Sequence, residues 1–332
     1  MPTGKKRINV IFVMAVPLRN KKQEARDKET TMDKNLLNEA ESLINPATTQ
    51  RRDFLKAAAV TTMGVGYVAA AEPVMAQAIK TDFEGIKGEE ITFDSKGYSV
   101  PAYVAKPNKV PKNGLPVVIV VSEIFGVHEY IADVARRFAK LGYLAIAPEF
   151  FARAGDPNTM GTMAEILKEI VGKTPDAQVM GDVQAAIAWA GKNGGDVKRV
   201  GITGFCWGGR ITWLASAQIP QIRAGVAWYG RLVGDKTPNS PSHPIDMADK
   251  MKAPVLGLYG SADTGIPVES VELMKKALAA AKDNKAAQAC MFEIYPDAPH
   301  AFHADYRATY REGPAKDGWA KCLAWFKQQG VV

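Results

Sequence analysis

From about residue 83 onward, short apolar runs alternate with longer segments whose apolar residues return every three or four positions. The run over 115–121 is unbroken and rich in valine, which predicts a strand covered on both faces. Ile131, Val134, Ala135, Phe138 and Leu141 then fall on one helical stripe, with Arg136, Arg137 and Lys140 expected outside it. A strand over 143–147, a helix carrying Val179, Val183, Ala186, Ile187 and Ala190, and a strand over 197–203 repeat the pattern. A helix over 209–217, strands over 224–229 and 255–259, a helix over 271–281, a strand over 291–295 and a helix over 315–328 complete it. Upstream, residues 90–93 and 99–105 flank Asp94-Ser95-Lys96-Gly97 and predict a hairpin. Strands alternating with helices predict an α/β fold, a mostly parallel central sheet with helices on both faces. Residues 77–332 read as one such domain.

Charge sets the first 76 residues apart. Residues 1–71 hold 12 Lys/Arg against 7 Asp/Glu, whereas the rest of the chain nearly balances 30 basic with 28 acidic residues. The net charge of +7 therefore sits mainly in a leader, and a near-neutral body argues against nucleic-acid binding. Within the leader, Arg51-Arg52-Asp53-Phe54-Leu55-Lys56 precedes a weakly apolar stretch over 57–71, softened by Thr61, Thr62, Gly64 and Gly66. Small residues then offer cleavage after Ala71 or after Ala76. This plan resembles a twin-arginine export signal, which implies the twin-arginine machinery as a partner and a periplasmic or secreted product. At about 15 residues the stretch is shorter than the roughly 20 that a membrane anchor needs, so stable insertion is not expected. Translation from Met1 or from Met32 is compatible with the pattern.

Three cysteines are present, with no Cys-x-x-Cys pair. Cys322 shares an apolar helical face with Trp319, Leu323 and Phe326, and Cys290 opens an apolar run, so burial is expected for both. A disulfide between them is left open. Cys206 differs. Gly204-Phe205-Cys206-Trp207-Gly208 follows a strand and precedes a helix, the setting of a nucleophile elbow. Glycines on either side allow strand and helix to approach closely, the helix N-terminus favours a thiolate, and the Trp207 N–H is aimed where an oxyanion would form. In chain order, Asp263 lies just past a late strand and His300 past the last one, as an acid and a base should. Asp297 is a rival acid and His303 a rival base. His300 and His303 as metal ligands would need further ligands that the chain does not supply nearby. His128 and His243 are read as surface or rim residues. Neither a phosphate-binding loop nor a dinucleotide fingerprint follows the first strands, so no cofactor is expected.

With these residues in this order, the chain resembles the dienelactone hydrolase (carboxymethylenebutenolidase) family of α/β-hydrolases. The resemblance spans roughly 83–328. It rests on Glu123-Ile124-Phe125-Gly126, Ala147-Pro148-Glu149-Phe150-Phe151-Ala152-Arg153, Gly204-Phe205-Cys206-Trp207-Gly208-Gly209 and Pro299-His300-Ala301-Phe302. It implies that Glu123 lies beside the cysteine and helps to switch it between thiol and thiolate, and that the Ile124 N–H is the second oxyanion donor. The implied reaction is hydrolysis of a small ester or lactone by Cys206, His300 and Asp263 through an acyl-thioester. The family's best-known members hold a substrate carboxylate with arginines, one of them four residues after the histidine; that position here is Ala304. Arg153 and Arg307 are the substitutes to consider, with Phe125 and Trp207 lining a pocket for modest acyl groups. The small-molecule substrate apart, a monomer is expected. A non-catalytic ligand binder on a hydrolase scaffold and a redox-sensing thiol protein are the competing classes.

Overall fold

Eight strands share one sheet in the computed structural model, which describes residues 78–332. The twin-arginine run, its apolar stretch and both cleavage points lie outside the described residues. The strands are β1 (Ile86–Ser95), β2 (Tyr98–Pro107), β3 (Leu115–Val121), β4 (Leu144–Pro148), β5 (Gly195–Phe205), β6 (Ile222–Trp228), β7 (Val255–Gly260) and β8 (Met291–Tyr295). They lie in the order β1-β2-β4-β3-β5-β6-β7-β8. The first two run antiparallel, β2 meets β4 antiparallel, and every pair from β4 to β8 is parallel. The longer helices are α1 (Glu129–Lys140), α2 (Asp176–Lys192), α3 (Trp207–Gln218), α4 (Val268–Ala280) and α5 (Glu312–Gln328).

This is the mostly parallel α/β architecture that the alternation predicts, with element ends shifted by a few residues. All residues of β3, β4 and β7 are buried, which is why these strands read as unbroken apolar runs. On one face, α1 and α5 meet where Phe138 packs against Trp319 and Phe326; on the other, α2 and α3 touch each other. The expected hairpin closes through Lys96 (φ 54°) and Gly97 (φ 82°), the two left-handed residues that a two-residue hairpin turn requires. The Asp94 carboxylate accepts the Gly97 N–H at 3.1 Å.

Two expectations for α1 are corrected. Leu141 follows the last helical residue and is 48% exposed, so it does not join the apolar stripe. Arg136 and Arg137 do not face solvent. Residues 79–84 and the 300s loop lie over them, and the guanidinium of Arg136 meets Asp133, Glu129, the Thr81 carbonyl and the Phe83 ring. Arg137 pairs with Asp133 and Asp305, both at 2.6 Å. Helical periodicity cannot foresee a cover drawn from segments so distant in sequence. The thiols of Cys290 and Cys322 are both free.

The sheet order reverses at β3, which has β4 on one side and β5 on the other. In open parallel sheets, the crevice at such a reversal, past the carboxyl ends of the strands, is where ligands bind. Here the crevice is formed by a close crossing of backbones. Val121 pairs with Gly204, and the first turn of α3 lies on the ends of both strands. A Cβ on Gly204 would stand 2.2 Å from the Gly208 carbonyl oxygen, and one on Gly208 would stand 2.4 Å from that of Val121. Gly204→Ala is therefore expected to lower the unfolding free energy by about 2 kcal/mol or more in chemical denaturation. Gly313→Ala in α5, where an added Cβ meets nothing within 4 Å, should be neutral or stabilising by up to about 1 kcal/mol.

Candidate active site

Cys206 stands between β5 and α3 with φ 57° and ψ −116°. Its N–H donates to the Trp228 carbonyl of β6 at 3.0 Å, and its own carbonyl accepts the N–H groups of Gly209 and Arg210 to start the helix. A non-glycine residue with positive φ at this point is a strained turn held by its surroundings, and it lifts the side chain off the strand end. Trp207, the first residue of α3, packs its ring against Phe151 (4.6 Å between centroids) and Phe150 (6.2 Å). The loop carrying Glu123, Ile124 and Phe125 leaves β3 directly after Val121, so the Val121–Gly204 pairing makes it a neighbour of the elbow. Ile124 and Phe125 are both buried.

Asp263 and His300 come together from the carboxyl ends of β7 and β8. His300 Nδ1 is 2.6 Å from Asp263 Oδ2, and both side chains are buried. The other carboxylate oxygen accepts the N–H groups of Gly265 (2.9 Å) and Ile266 (3.0 Å), which fixes the acid in place. Burial alone would lower the proton affinity of His300. The charges of Asp263 and then Cys206 overcome it and raise the imidazole well above its ordinary value. Nε2 is buried, and the Cys206 sulfur is near enough to act on the ring.

The rivals occupy other places. Asp297 is exposed with φ 55°, and its N–H donates to the Ser261 hydroxyl, so it shapes the turn. His303 is buried in an aromatic shell of Phe205, Trp228 and Trp319, with Nδ1 2.5 Å from the Tyr130 hydroxyl. Burial holds its proton affinity well below the ordinary value.

Glu123 is fully buried. Its Oε2 accepts the Tyr306 hydroxyl at 2.6 Å and lies 3.7 Å from His128 Nε2, while Oε1 is buried with no hydrogen-bond partner. Tyr306 in turn accepts from Arg307 Nε at 2.9 Å, and the Arg307 guanidinium lies over the Phe125 ring at 4.9 Å. Burial would raise the carboxyl; the Arg307 charge, then His128 and Tyr306, bring it down to about 2. Arg307 thus stands at this wall, whereas Arg153 has another task. It binds Asp182 through two hydrogen bonds of 2.7 and 3.0 Å, reaches the Ser95 carbonyl and lies over Tyr98, tying the hairpin to α2. Ala304 is fully buried. His243 is corrected from rim to interior: it is buried between Arg210 and the Asp235 carbonyl, where Arg210 also makes a two-pronged pair with Asp176. His128 is partly exposed and lies beside Glu123.

Sequence reasoning missed Tyr306, Tyr130 and the pairing of His128 with Glu123. Only the closeness of Tyr306 and Arg307 to His300 in sequence hinted at a shared wall. Among the described residues no group of three His, Cys, Asp or Glu side chains could hold a metal ion, and no helix is long and apolar enough to cross a membrane.

The dienelactone hydrolase family pattern matches residues 100–330. The chain belongs to that family. A protein of Methylorubrum extorquens provisionally named carboxymethylenebutenolidase is 50% identical over 293 residues, covering 88% of this chain and 97% of its own. One from Salmonella typhimurium with the same provisional name is 53% identical and covers 81% of this chain and 98% of its own. A crystal structure from Klebsiella pneumoniae, provisionally a dienelactone hydrolase, is 53% identical with a TM-score of 0.70, covering 73% of this chain and 99% of that one. The matched region contains the elbow, the Asp263–His300 pair and the Glu123 loop, so family membership and site coincide on the same crevice.

The low carboxyl of Glu123 has a consequence for stability. A carboxylate depressed in the folded state stabilises the fold above its ordinary value of 4.5, and that contribution is lost as pH falls toward about 2. In Glu123→Gln this contribution is absent. The unfolding free energy of the wild type, relative to the variant, is therefore expected to fall as pH drops from about 5 to about 3 in chemical denaturation, with little change between about pH 6 and 8.

Proposed function

We propose that the protein hydrolyses a small ester or lactone through a covalent thioester on Cys206. Membership in the dienelactone hydrolase family supports ester or lactone hydrolysis. The observation that carries the finer reading is the buried His300–Asp263 pair, whose imidazole, raised in proton affinity, is coupled to a cysteine on a strained elbow.

The Cys206 thiol passes its proton to His300, and the imidazolium together with the positive end of α3 holds the thiolate, while the negative charge of Glu123 favours the resting thiol. The sulfur attacks the carbonyl carbon, a C–S bond forms, and the carbonyl electron pair moves onto oxygen. The N–H groups of Trp207 and Ile124 stabilise that oxyanion. Collapse breaks the C–O bond to the alcohol, which takes its proton from the His300 imidazolium. His300, oriented by Asp263, then removes a proton from water; hydroxide attacks the thioester, the C–S bond breaks, and the acid and the cysteine are released. In a lactone, alcohol and acid leave as one molecule. Arg307 and Phe125 form the substrate wall of this reading, and Arg153, neutralised by Asp182, is assigned no contact with substrate.

Turnover of p-nitrophenyl acetate with mass spectrometry of the protein tests this. Wild type is expected to show a burst and an acyl adduct on Cys206. Cys206→Ala should lose steady-state hydrolysis by about 10³-fold or more while its thermal unfolding is little changed. Full turnover by Cys206→Ala would reject the nucleophile. Saturable binding with no adduct would favour a binder, and oxidation of Cys206 without ester cleavage a redox sensor.

The same reading extends to location. Arg51-Arg52 ahead of the softened apolar stretch supports twin-arginine export to the periplasm or beyond. Cell fractionation of the exported protein should find an N-terminus at Glu72 or Gln77, and the Arg51→Lys, Arg52→Lys double variant should accumulate as precursor in the cytoplasm. Equal export of that variant would reject the pathway.

A further inference from the structure

Of the two amides in the proposed oxyanion site, only Trp207 belongs to a helix. Ile124 lies on an irregular loop over 122–127, whose N–H orientation no secondary structure fixes. One end of the loop is set by the Val121–Gly204 pairing. The other end meets a carboxylate. Glu149, just past the end of β4, accepts the Val127 N–H on Oε2 at 2.7 Å. The carboxylate fills the space that a side chain would take at Gly126: a Cβ there would stand 2.7 and 2.9 Å from its two oxygens, and Gly126 has φ +74°. The residue two positions after Ile124 is thus left-handed and pressed against Glu149. Glu149 is itself anchored, with its N–H donating to the Pro101 carbonyl at 2.8 Å and its carbonyl accepting the Ala152 N–H at 3.3 Å.

The side chain serves two walls at once. Burial pushes its carboxyl up from the ordinary value, while the N–H groups of Val127 and Phe151 oppose that rise. Phe151 is the ring packed on Trp207. The second oxygen, Oε1, is buried with no hydrogen-bond partner. A buried carboxylate with unmet hydrogen-bonding capacity is costly, and a neutral side chain would serve a purely structural loop contact at less cost.

We propose that Glu149 is a positioning residue for the hydrolysis, holding Gly126 and Val127 so that the Ile124 N–H points at the developing oxyanion. The proposal rests on the thioester reading above. An oxyanion donor acts in the transition state and not on the bound ester, so its misplacement slows chemistry without weakening binding.

The test compares two reactions at the same sulfur. Acylation by p-nitrophenyl acetate puts negative charge on a carbonyl oxygen, whereas alkylation by iodoacetamide does not. In Glu149→Ala the acylation burst should slow by at least about 10-fold, with the ester concentration that half-saturates the burst rate within about 2-fold and alkylation of Cys206 within about 2-fold, and Glu149→Gln should recover part of the rate through its remaining acceptor oxygen. Should Glu149→Ala fail to fold, Glu149→Gln and Gly126→Ala are read by the same ratio. Unchanged acylation, or acylation and alkylation falling together, overturns the positioning role. If wild-type Cys206 is never acylated, the thioester reading fails and takes this assignment with it; normal wild-type acylation with undiminished variants defeats Glu149 alone.

Discussion

The fold converges on one close crossing, where the first turn of α3 rests on the ends of β3 and β5. There is no room for side chains at the contact, as the distances at Gly204 and Gly208 show. The left-handed conformation of Cys206 follows from the same crossing, because the chain must reverse from strand to helix within one residue. Such a backbone conformation costs on the order of 1–3 kcal/mol and persists only where the surroundings over-determine it. The surroundings here are the Val121–Gly204 pairing, the Cys206 N–H to the Trp228 carbonyl, and the helix that begins on the Cys206 carbonyl. Everything at the crevice is placed relative to this turn.

Charge is distributed around the crevice so that buried ions answer one another. Asp263 is matched by His300, Glu123 by Tyr306, His128 and the Arg307 charge, Asp182 by Arg153, and Asp176 by Arg210. An unmatched buried charge would cost several kcal/mol, so each pair is also a constraint on where its segments lie. The pairs divide by location. Arg153–Asp182 and Arg210–Asp176 bind α2 to the hairpin and to α3, whereas the Asp263 and Glu123 groups stand at the carboxyl ends of the parallel strands. The two sets therefore do different work, the first holding elements together and the second setting the electrostatics of the crevice.

The strands and helices were legible because their burial is periodic, and burial of both faces writes an unbroken apolar run such as that of β3. The elbow was legible because tight crossings demand glycine at fixed spacing around one residue. Asp263 and His300 were singled out by chain order, and the structure brings them into hydrogen-bond contact. What could not be read depends on segments distant in sequence. Arg136 and Arg137 look solvent-facing until residues 79–84 and Asp305 are folded over α1. His243 looks like a rim residue until Arg210 and Asp235 enclose it. Between β4 and α2 the chain runs through short tight and wide turns, including the wide-turn segment Ile166–Ile170, which leave no clean period to detect.

The three cysteines show why residue type alone decides so little. Cys322 is fully buried on α5, and burial pushes its thiol well up. Cys290 is also pushed up, to about 12, although it accepts the Val255 N–H at 3.3 Å and donates to the Ala286 carbonyl at the same distance. Both environments stabilise the neutral thiol, and a neutral thiol is a poor nucleophile. Cys206 is as buried as either. It differs in standing at a helix N-terminus, on a strained turn, within reach of the charge on an imidazole that a buried carboxylate holds. At Cys322 burial removes water and supplies no partner for a charged sulfur, and at Cys290 the single Val255 N–H does not outweigh that loss.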